Sequence, residues 1–267
     1  MALGWIDLSD YSFNSFLLME RFQIRYFMSG RESDTEWKHK MGIALKANPA
    51  VQWYLTHRCP ECAEQITALS DAAPTGSTAE SIREAEVYVL SSVEDFVIYT
   101  VPEAMDTHCP WIYSWDKTRL YEMADFTDKI VLDVGSGSGR LAFAAAQKAR
   151  EVYASEPVET LRECIRQKAA RDGVANLRVA EALLPFLPYP DSAFDIVMSG
   201  HVVGDDWEAE IAELARVCKS GCWLLDCRGD SLGDKASPEL VARGWEGMSY
   251  IGAFGTAMHN HRKQVFK

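Results

Sequence analysis

VLDVGSGSGR at residues 131–140 is the stretch that decides the fold, because an apolar run leads into three glycines that alternate with other residues. Glycine adopts positive φ readily and lets a ligand approach the backbone amides, so the spacing predicts a tight turn against a ligand. The residues that follow, 141–149, are rich in alanine and leucine and predict a helix. We therefore interpret the stretch as a buried strand, a glycine turn that binds a cofactor, and the N-terminus of a helix.

The glycine spacing differs from the dinucleotide-binding pattern G-x-G-x-x-G, because Arg140 stands where its last glycine would be and Gly139 comes one residue early. With Asp133 in front, the pattern D-x-G-x-G-x-G instead resembles motif I of the class I S-adenosylmethionine-dependent methyltransferases. This resemblance implies S-adenosylmethionine as methyl donor, S-adenosylhomocysteine as product, and donor contacts from Asp133, Gly135, Ser136, Gly137 and Gly139. Another nucleotide-type ligand and a purely structural turn are the alternatives.

A second apolar run, EVYASE at residues 151–156, follows the helix and ends in Glu156. In a doubly wound sheet, a carboxylate at the end of the second strand lies beside the glycine turn and accepts both hydroxyls of a ribose. By resemblance to the family, Glu156 holds the ribose of the methyl donor. The alternative is an exposed acid that caps the helix after Pro157.

The segments after Glu156 come in the order that the family requires. LPYPDSAFDIV at residues 187–197 resembles the stretch in which a proline-aromatic loop covers the adenine and leads into the fourth strand, at about 194–200. The resemblance implies that Glu181 or a neighbouring backbone amide contacts the adenine. The tripeptide LPF at 184–186 fits the same pattern as LPY, so the assignment of the covering residues stays open.

These segments predict an α/β fold, a doubly wound and mostly parallel seven-stranded sheet of the Rossmann-like methyltransferase type. The fifth strand is CWLLDC at 222–227, and the last two strands form a hairpin at the edge of the sheet. Residues 126–267 are the predicted donor-binding core, and residues 1–125 a mainly helical N-terminal cap where the substrate is recognised. In the cap, the apolar pattern at 11–30 predicts one helix, and the run S-T-A-E at 77–80 predicts a capping box that opens another.

Two polar residues and one aromatic residue are further candidates for the site. His201 lies just beyond the fourth strand, at the carboxyl edge where open α/β sheets bind ligands, and is the candidate general base. Ser199, at the end of that strand, is grouped with the donor-binding residues. Tyr113, in WIYSW at 111–115, would face the donor's sulfonium, which an aromatic ring attracts. For His201, a hydrogen bond to the substrate and a purely structural role are the alternatives, and for the aromatic residues a packing role.

The cysteines of the cap are harder to place. Cys59, Cys62, Cys109 and His57 offer nitrogen and sulfur ligands for a tetrahedral zinc ion. However, Cys109 follows another histidine directly, and adjacent side chains rarely both reach one metal, so no metal site is predicted and zinc stays a weak alternative. Redox thiols and buried structural cysteines are the other readings.

The charge distribution favours a small-molecule substrate. Residues 1–125 carry 10 lysines and arginines against 19 aspartates and glutamates, and residues 126–267 carry 17 against 20. Binding of nucleic acid needs a basic face, and no basic cluster precedes the core, so the sequence argues against nucleic acid as a partner. A protein or RNA methyltransferase and a non-catalytic module that binds S-adenosylmethionine are the alternatives. Seven cysteines, no long apolar run and no export signal predict a cytoplasmic protein without a membrane partner.

Overall fold

The computed structural model describes residues 7–31, 33–93, 115–230, 237–252 and 257–267, together with Pro102 and Gly255. The chain forms two compact units, Met1–Ala104 and Met105–Lys267. The short helix at Thr118–Tyr121 lies in the second unit, where Leu120 is fully buried in the apolar core. The described residues 115–125 thus belong to the second unit, whereas the sequence division groups them with the cap.

The first unit is helical wherever the structure describes it. Its α-helices are α1 (Arg21–Met28), α2 (Thr35–Ala47), α3 (Pro49–Arg58), α4 (Ala63–Ala72) and α5 (Ala79–Ser91), and 3-10 helices span Leu8–Asp10, Phe13–Leu18 and Pro60–Cys62. Their apolar faces meet in one core that includes Phe16, Trp37 and Met41. The sequence therefore predicts the helical character of this unit correctly.

Two helix starts in this unit differ from the prediction. The apolar pattern at 11–30 predicts one helix, but the structure has a 3-10 helix and then α1, because the Gln23 side chain accepts a hydrogen bond from the Glu20 backbone N–H at 2.8 Å and starts a new helix. In α5 the cap is Thr78 rather than Ser77, because the Thr78 hydroxyl accepts from the Ser81 N–H at 3.2 Å. Local capping geometry decides both boundaries.

The second unit contains the predicted seven-stranded sheet. Its strands are β1 (Ile130–Val134), β2 (Glu151–Ser155), β3 (Leu177–Ala180), β4 (Phe194–Ser199), β5 (Cys218–Asp230), β6 (Glu246–Ile251) and β7 (Ala257–Gln264). The strand order is β3-β2-β1-β4-β5-β7-β6. Strands β1 to β5 run parallel, whereas β7 is antiparallel to both β5 and β6. The final hairpin thus enters the sheet with β7 inside and β6 at the edge.

Helices cover both faces of this sheet. They are α6 (Thr118–Tyr121), α7 (Arg140–Ala146), α8 (Glu159–Arg171), α9 (Trp207–Val217) and α10 (Pro238–Ala242). Because successive residues of a strand point to opposite faces, Val131 packs in one apolar cluster with α7 and α8, and Leu132 packs in another with α9 and α10. Both clusters are buried, so the two faces hold the carboxyl edge of the sheet in place.

Within the described ranges, no helix combines the length and the apolar character that crossing a bilayer requires.

Candidate functional site

The candidate site lies at the carboxyl ends of β1, β2 and β4. Strand β1 pairs with β2 on one side and with β4 on the other, so the chain leaves these strands in opposite directions at this point. Open α/β sheets bind ligands in the crevice that such a reversal creates. Glu156, which directly follows β2, and Ser199, the last residue of β4, lie here together with the glycine turn after β1.

The glycine turn at 135–139 has a backbone that side chains would strain. Gly135, Gly137 and Gly139 have φ of +66°, +56° and +95°. A Cβ on Gly135 would lie 2.4 Å from a methyl carbon of Val202, and one on Gly139 would lie 2.7 Å from the Phe143 ring. The Ser155 carbonyl accepts hydrogen bonds from the N–H groups of Gly135 and Ser136, at 2.8 and 3.0 Å, and ties the turn to β2.

Glu156 joins this turn through its side chain. It is buried, and its two carboxylate oxygens accept hydrogen bonds from the Gly137 N–H at 2.9 Å and the Val158 N–H at 3.0 Å. Burial nevertheless raises the pKa of Glu156 to about 7. The alternative of an exposed capping acid is therefore wrong, since the carboxylate faces the glycine turn within the fold.

Asp133 is a buried carboxyl group near the end of β1, shortly before the glycine turn. It is 1% exposed, and neither of its carboxylate oxygens has a hydrogen-bond partner in the described part of the chain. Burial raises its pKa to about 7. The Ser199 hydroxyl, on the neighbouring strand, is likewise buried without a partner among the described residues. Unpartnered buried polar groups are costly, so a ligand that donates hydrogen bonds or carries positive charge would stabilise this corner.

The structure separates the two proline-aromatic tripeptides. The Tyr189 hydroxyl lies 2.6 Å from the Ser155 hydroxyl, and its ring packs edge-on against Tyr153 and Phe194. Phe186, in contrast, is 83% exposed. LPY is therefore the tripeptide that packs against the strands, whereas the Phe186 ring of LPF extends from the surface.

Glu181 lies directly after β3, at the same edge of the sheet as Glu156. Its side chain is exposed, and one carboxylate oxygen lies 3.6 Å from the Arg162 guanidinium. Arg162 also donates to the Glu156 carbonyl oxygen at 2.8 Å. The same arginine thus contacts both predicted acidic residues, which lie at the ends of adjacent strands.

His201 follows β4 and has a left-handed backbone, with φ of +61°. Its Nε2 lies 2.9 Å from the Arg228 carbonyl oxygen, which only accepts hydrogen bonds. Nε2 therefore carries the proton in this contact, and Nδ1 is the ring atom with proton-accepting character. The sequence analysis identified His201 but missed Arg228. The signal for Arg228 was the charged pair Asp226 and Arg228 in the otherwise apolar run CWLLDCR at 222–228.

Tyr113 and Cys109 lie outside the residues that the structure describes.

Cys59 and Cys62 are buried with their sulfur atoms 3.4 Å apart, and burial raises the pKa of Cys59 to about 12. His57 donates from Nδ1 to the Trp53 carbonyl oxygen at 2.7 Å. No group of three or more potential metal ligands forms within the described ranges.

Comparison with known proteins places the glycine turn in a region that matches a known family model. Residues 131–221 match the family model described as a methyltransferase domain. An uncharacterised protein of Mycobacterium tuberculosis is 36% identical over 93 residues, which are 34% of each chain. The uncharacterised methyltransferase YcgJ of Bacillus subtilis is 32% identical over 98 residues, which are 36% of this chain and 39% of YcgJ. The matched region thus spans little more than a third of these relatives.

Solved structures agree with the fold of the second unit. A S-adenosylmethionine-dependent methyltransferase from Aquifex aeolicus aligns with a TM-score of 0.51 at 19% identity, over 61% of this chain and 98% of its own. A protein from Methanococcus maripaludis described as a putative methyltransferase of the same type aligns with a TM-score of 0.51 at 17% identity, over 62% and 90%. The expected Rossmann-like methyltransferase fold is confirmed.

Proposed function

We propose that this protein transfers a methyl group from S-adenosylmethionine to a small-molecule acceptor, since residues 131–221 match a methyltransferase domain and the second unit has the fold of S-adenosylmethionine-dependent methyltransferases. The observation that carries the proposal is the pair of buried carboxyl groups, Asp133 and Glu156, next to the glycine turn. In this turn, Val202 leaves no space for a side chain at Gly135. Such a corner suits a cationic nucleoside rather than a phosphate, which two carboxylates would repel.

The residues at the corner have complementary roles in holding the donor. Each oxygen of Glu156 has one hydrogen bond from a backbone N–H and a further lone pair, so the carboxylate retains capacity to accept ribose hydroxyls. Asp133 and Ser199 supply a carboxylate and a hydroxyl that have no partner among the described residues. Bound S-adenosylmethionine would supply an activated methyl group on its sulfonium, so this chain needs mainly to orient the acceptor and exclude water.

His201 is the residue that we assign to proton transfer when the acceptor must lose a proton. Its ring is exposed at the carboxyl edge, and Nε2–H is fixed by the Arg228 carbonyl. Nδ1 is then the atom that takes the proton from an acceptor hydroxyl or amine. An acceptor that is already a nucleophile without a proton to lose would not need this step.

The acidic composition of the chain supports a small acceptor. The net charge is −12, and 9 more acidic than basic residues lie in residues 1–125. Phosphate-rich polymers bind to basic faces, so this charge opposes RNA and DNA as acceptors. A neutral or cationic small molecule is consistent with it, and a protein side chain is the second candidate class.

Labelled transfer assays test this proposal. The protein is incubated with methyl-labelled S-adenosylmethionine and a cell extract separated into small molecules, proteins and nucleic acids. We expect label in the small-molecule fraction, strongly reduced in Glu156→Gln and retained in Glu163→Gln, an exposed acid on α8. Label in the protein or nucleic acid fraction would overturn the acceptor class, and donor binding without any labelled product would identify a non-catalytic module.

A further inference from the structure

Arg228 connects β5 with the loop that carries His201. The loop leaves β4 after Ser199, and Arg228 lies on the neighbouring strand β5. Two contacts join them: the Arg228 carbonyl oxygen accepts from His201 Nε2 at 2.9 Å, and one Arg228 guanidinium nitrogen donates to the Val203 carbonyl oxygen at 2.6 Å. Arg228 therefore holds the three-residue segment 201–203 at both of its ends.

A buried carboxylate orients this guanidinium. Asp226 is fully buried, and its oxygens accept from Arg228 Nε at 3.0 and 3.3 Å. On the other side, His261 Nδ1 lies 3.5 Å from Asp226, and its Nε2 accepts from the Ser237 N–H at 3.0 Å. The Asp226 carboxylate thus lies between Arg228 of its own strand and His261 of β7, and its backbone is paired in register with Ser199 on β4 and His261 on β7.

The segment that Arg228 holds is one that needs to be held. His201 has a left-handed φ of +61°, a conformation that is uncommon for residues other than glycine and is stabilised by surrounding contacts. Between the two contacts, Val202 packs against Gly135, where a Cβ would lie 2.4 Å from a Val202 methyl carbon. The position of the segment therefore sets both the direction of the His201 ring and the cover over the glycine turn.

We propose that Arg228, oriented by Asp226, is a positioning residue that fixes the His201–Val203 segment over the glycine turn and presents His201 with Nδ1 as its proton acceptor. The connection to methyl transfer rests on the proposed function, whereas the positioning itself does not. Arg228 touches neither donor nor acceptor in this proposal and acts through His201 and Val202.

Two readouts on the intact protein test this role. The first is the ring ¹⁵N spectrum of His201 without ligand, which reports the tautomer. The His201 signals are assigned as those that disappear in His201→Gln. The second is the Kd for S-adenosylhomocysteine by calorimetry. The variants are Arg228→Met, Arg228→Lys and, because Arg228→Met leaves a buried charge unpaired, the double variant Asp226→Asn with Arg228→Met.

Arg243→Met is the matched control. The Arg243 guanidinium also lies over the Trp207 ring, at 5.3 Å against 5.7 Å for Arg228, but it pairs with Glu208, and among the described residues it donates no hydrogen bond to the 201–203 segment. Both variants remove an arginine from the same aromatic ring. Only Arg228→Met removes the donor to Val203.

We expect the wild type and Arg243→Met to show mainly the Nε2–H tautomer, and Arg228→Met and the double variant to show a mixture of both. The Kd should rise roughly tenfold in those two variants and less in Arg228→Lys, because one ammonium group cannot reproduce the arginine geometry. An unchanged tautomer, or an equal effect of Arg243→Met, would overturn the proposal. If the wild type does not bind S-adenosylhomocysteine, the proposed function fails, and the tautomer still decides the role of Arg228.

Discussion

At the scale of single residues, the site is dominated by two carboxyl groups that the fold buries at an energetic cost. Burial raises the pKa of Asp133 and of Glu156 to about 7, although Glu156 accepts two backbone hydrogen bonds. Asp133 has no hydrogen-bond partner at its carboxylate among the described residues. In the free protein, burial of these carboxyl groups therefore costs free energy, and a cationic ligand would lower this cost.

The first prediction concerns stability against pH. Because the native pKa of Asp133 is raised above its ordinary value of 3.8, the native state binds more protons than the unfolded state between about pH 4 and pH 7. Stability is thus full below this window and falls as the pH rises through it, by up to about 4 kcal/mol. We expect Asp133→Asn to remove this loss, so that the variant gains melting temperature over the wild type at pH 8 and not at pH 4.

Thermal unfolding without ligand at several pH values measures this difference. The control is Asp128→Asn, because Asp128 is exposed. A difference between Asp133→Asn and the wild type that stays constant from pH 4 to pH 8 would contradict the assigned pKa.

The second prediction concerns the affinity for the donor. S-adenosylmethionine carries positive charge, so the ionised forms of Asp133 and Glu156 should bind it best. We expect its Kd to fall roughly tenfold between pH 6 and pH 8, with release of protons on binding. Calorimetry in buffers of different ionisation enthalpy measures both quantities, and a Kd that does not change with pH would argue against two carboxyl groups that titrate near 7.

At the scale of elements, the turn between β1 and α7 is the part that the sequence predicts best. Its glycines have positive φ, and at Gly135 the available space is also limited by Val202. The strands around it follow the predicted order, because each is an apolar run with a clear end. These features are local, so spacing along the chain is enough to find them.

The third prediction separates conformational strain from contact in this turn. Gly135→Ala and Gly221→Ala both place a side chain at positive φ, at +66° and +78°, but no atom lies within 4 Å of a Cβ at Gly221. We expect each variant to lose about 1 kcal/mol of stability for the backbone conformation. Only Gly135→Ala should also weaken S-adenosylhomocysteine binding, by more than about tenfold, since Val202 must move.

Denaturant unfolding and calorimetry on both variants measure these effects. Equal affinity of the two variants for S-adenosylhomocysteine would show that the close contact of Gly135 with Val202 does not shape the site.

Contacts between distant elements are the part that the sequence could not predict. His201 was found from its place after β4, but its hydrogen bond to the Arg228 carbonyl depends on the pairing of β4 with β5. Tertiary packing likewise decides that LPY is anchored by the Tyr189 hydroxyl while Phe186 is exposed. In the N-terminal unit, a new helix starts at α1 because Glu20 and Gln23 form a reciprocal capping box. Apolar periodicity along the sequence does not reveal such a capping box.

At the scale of the whole molecule, each of the two units has its own apolar core. Leu45 is fully buried in the core of the first unit, and Leu132 is fully buried under the sheet of the second. The hydrogen bonds between Gly137 and Glu156 and between His201 and Arg228 join residues of the second unit. Binding of the donor is therefore expected to depend on the second core.

The fourth prediction compares these cores. Leu45→Ala and Leu132→Ala each leave a cavity, so each should lower stability by about 2–5 kcal/mol. We expect Leu45→Ala to leave the Kd for S-adenosylhomocysteine within about twofold of the wild type, and Leu132→Ala, next to Asp133, to raise it. Calorimetry at a temperature where both variants are folded tests this, and a larger loss of affinity in Leu45→Ala would contradict it.

The most direct test of the central claim is calorimetric titration of the intact protein with S-adenosylhomocysteine, the product of the proposed transfer. We expect binding at one site with a Kd in the micromolar range, about −8 kcal/mol, and at least a tenfold weaker Kd for Glu156→Gln but not for the exposed Glu163→Gln. Absence of binding to the wild type at concentrations up to about 1 mM would contradict the account.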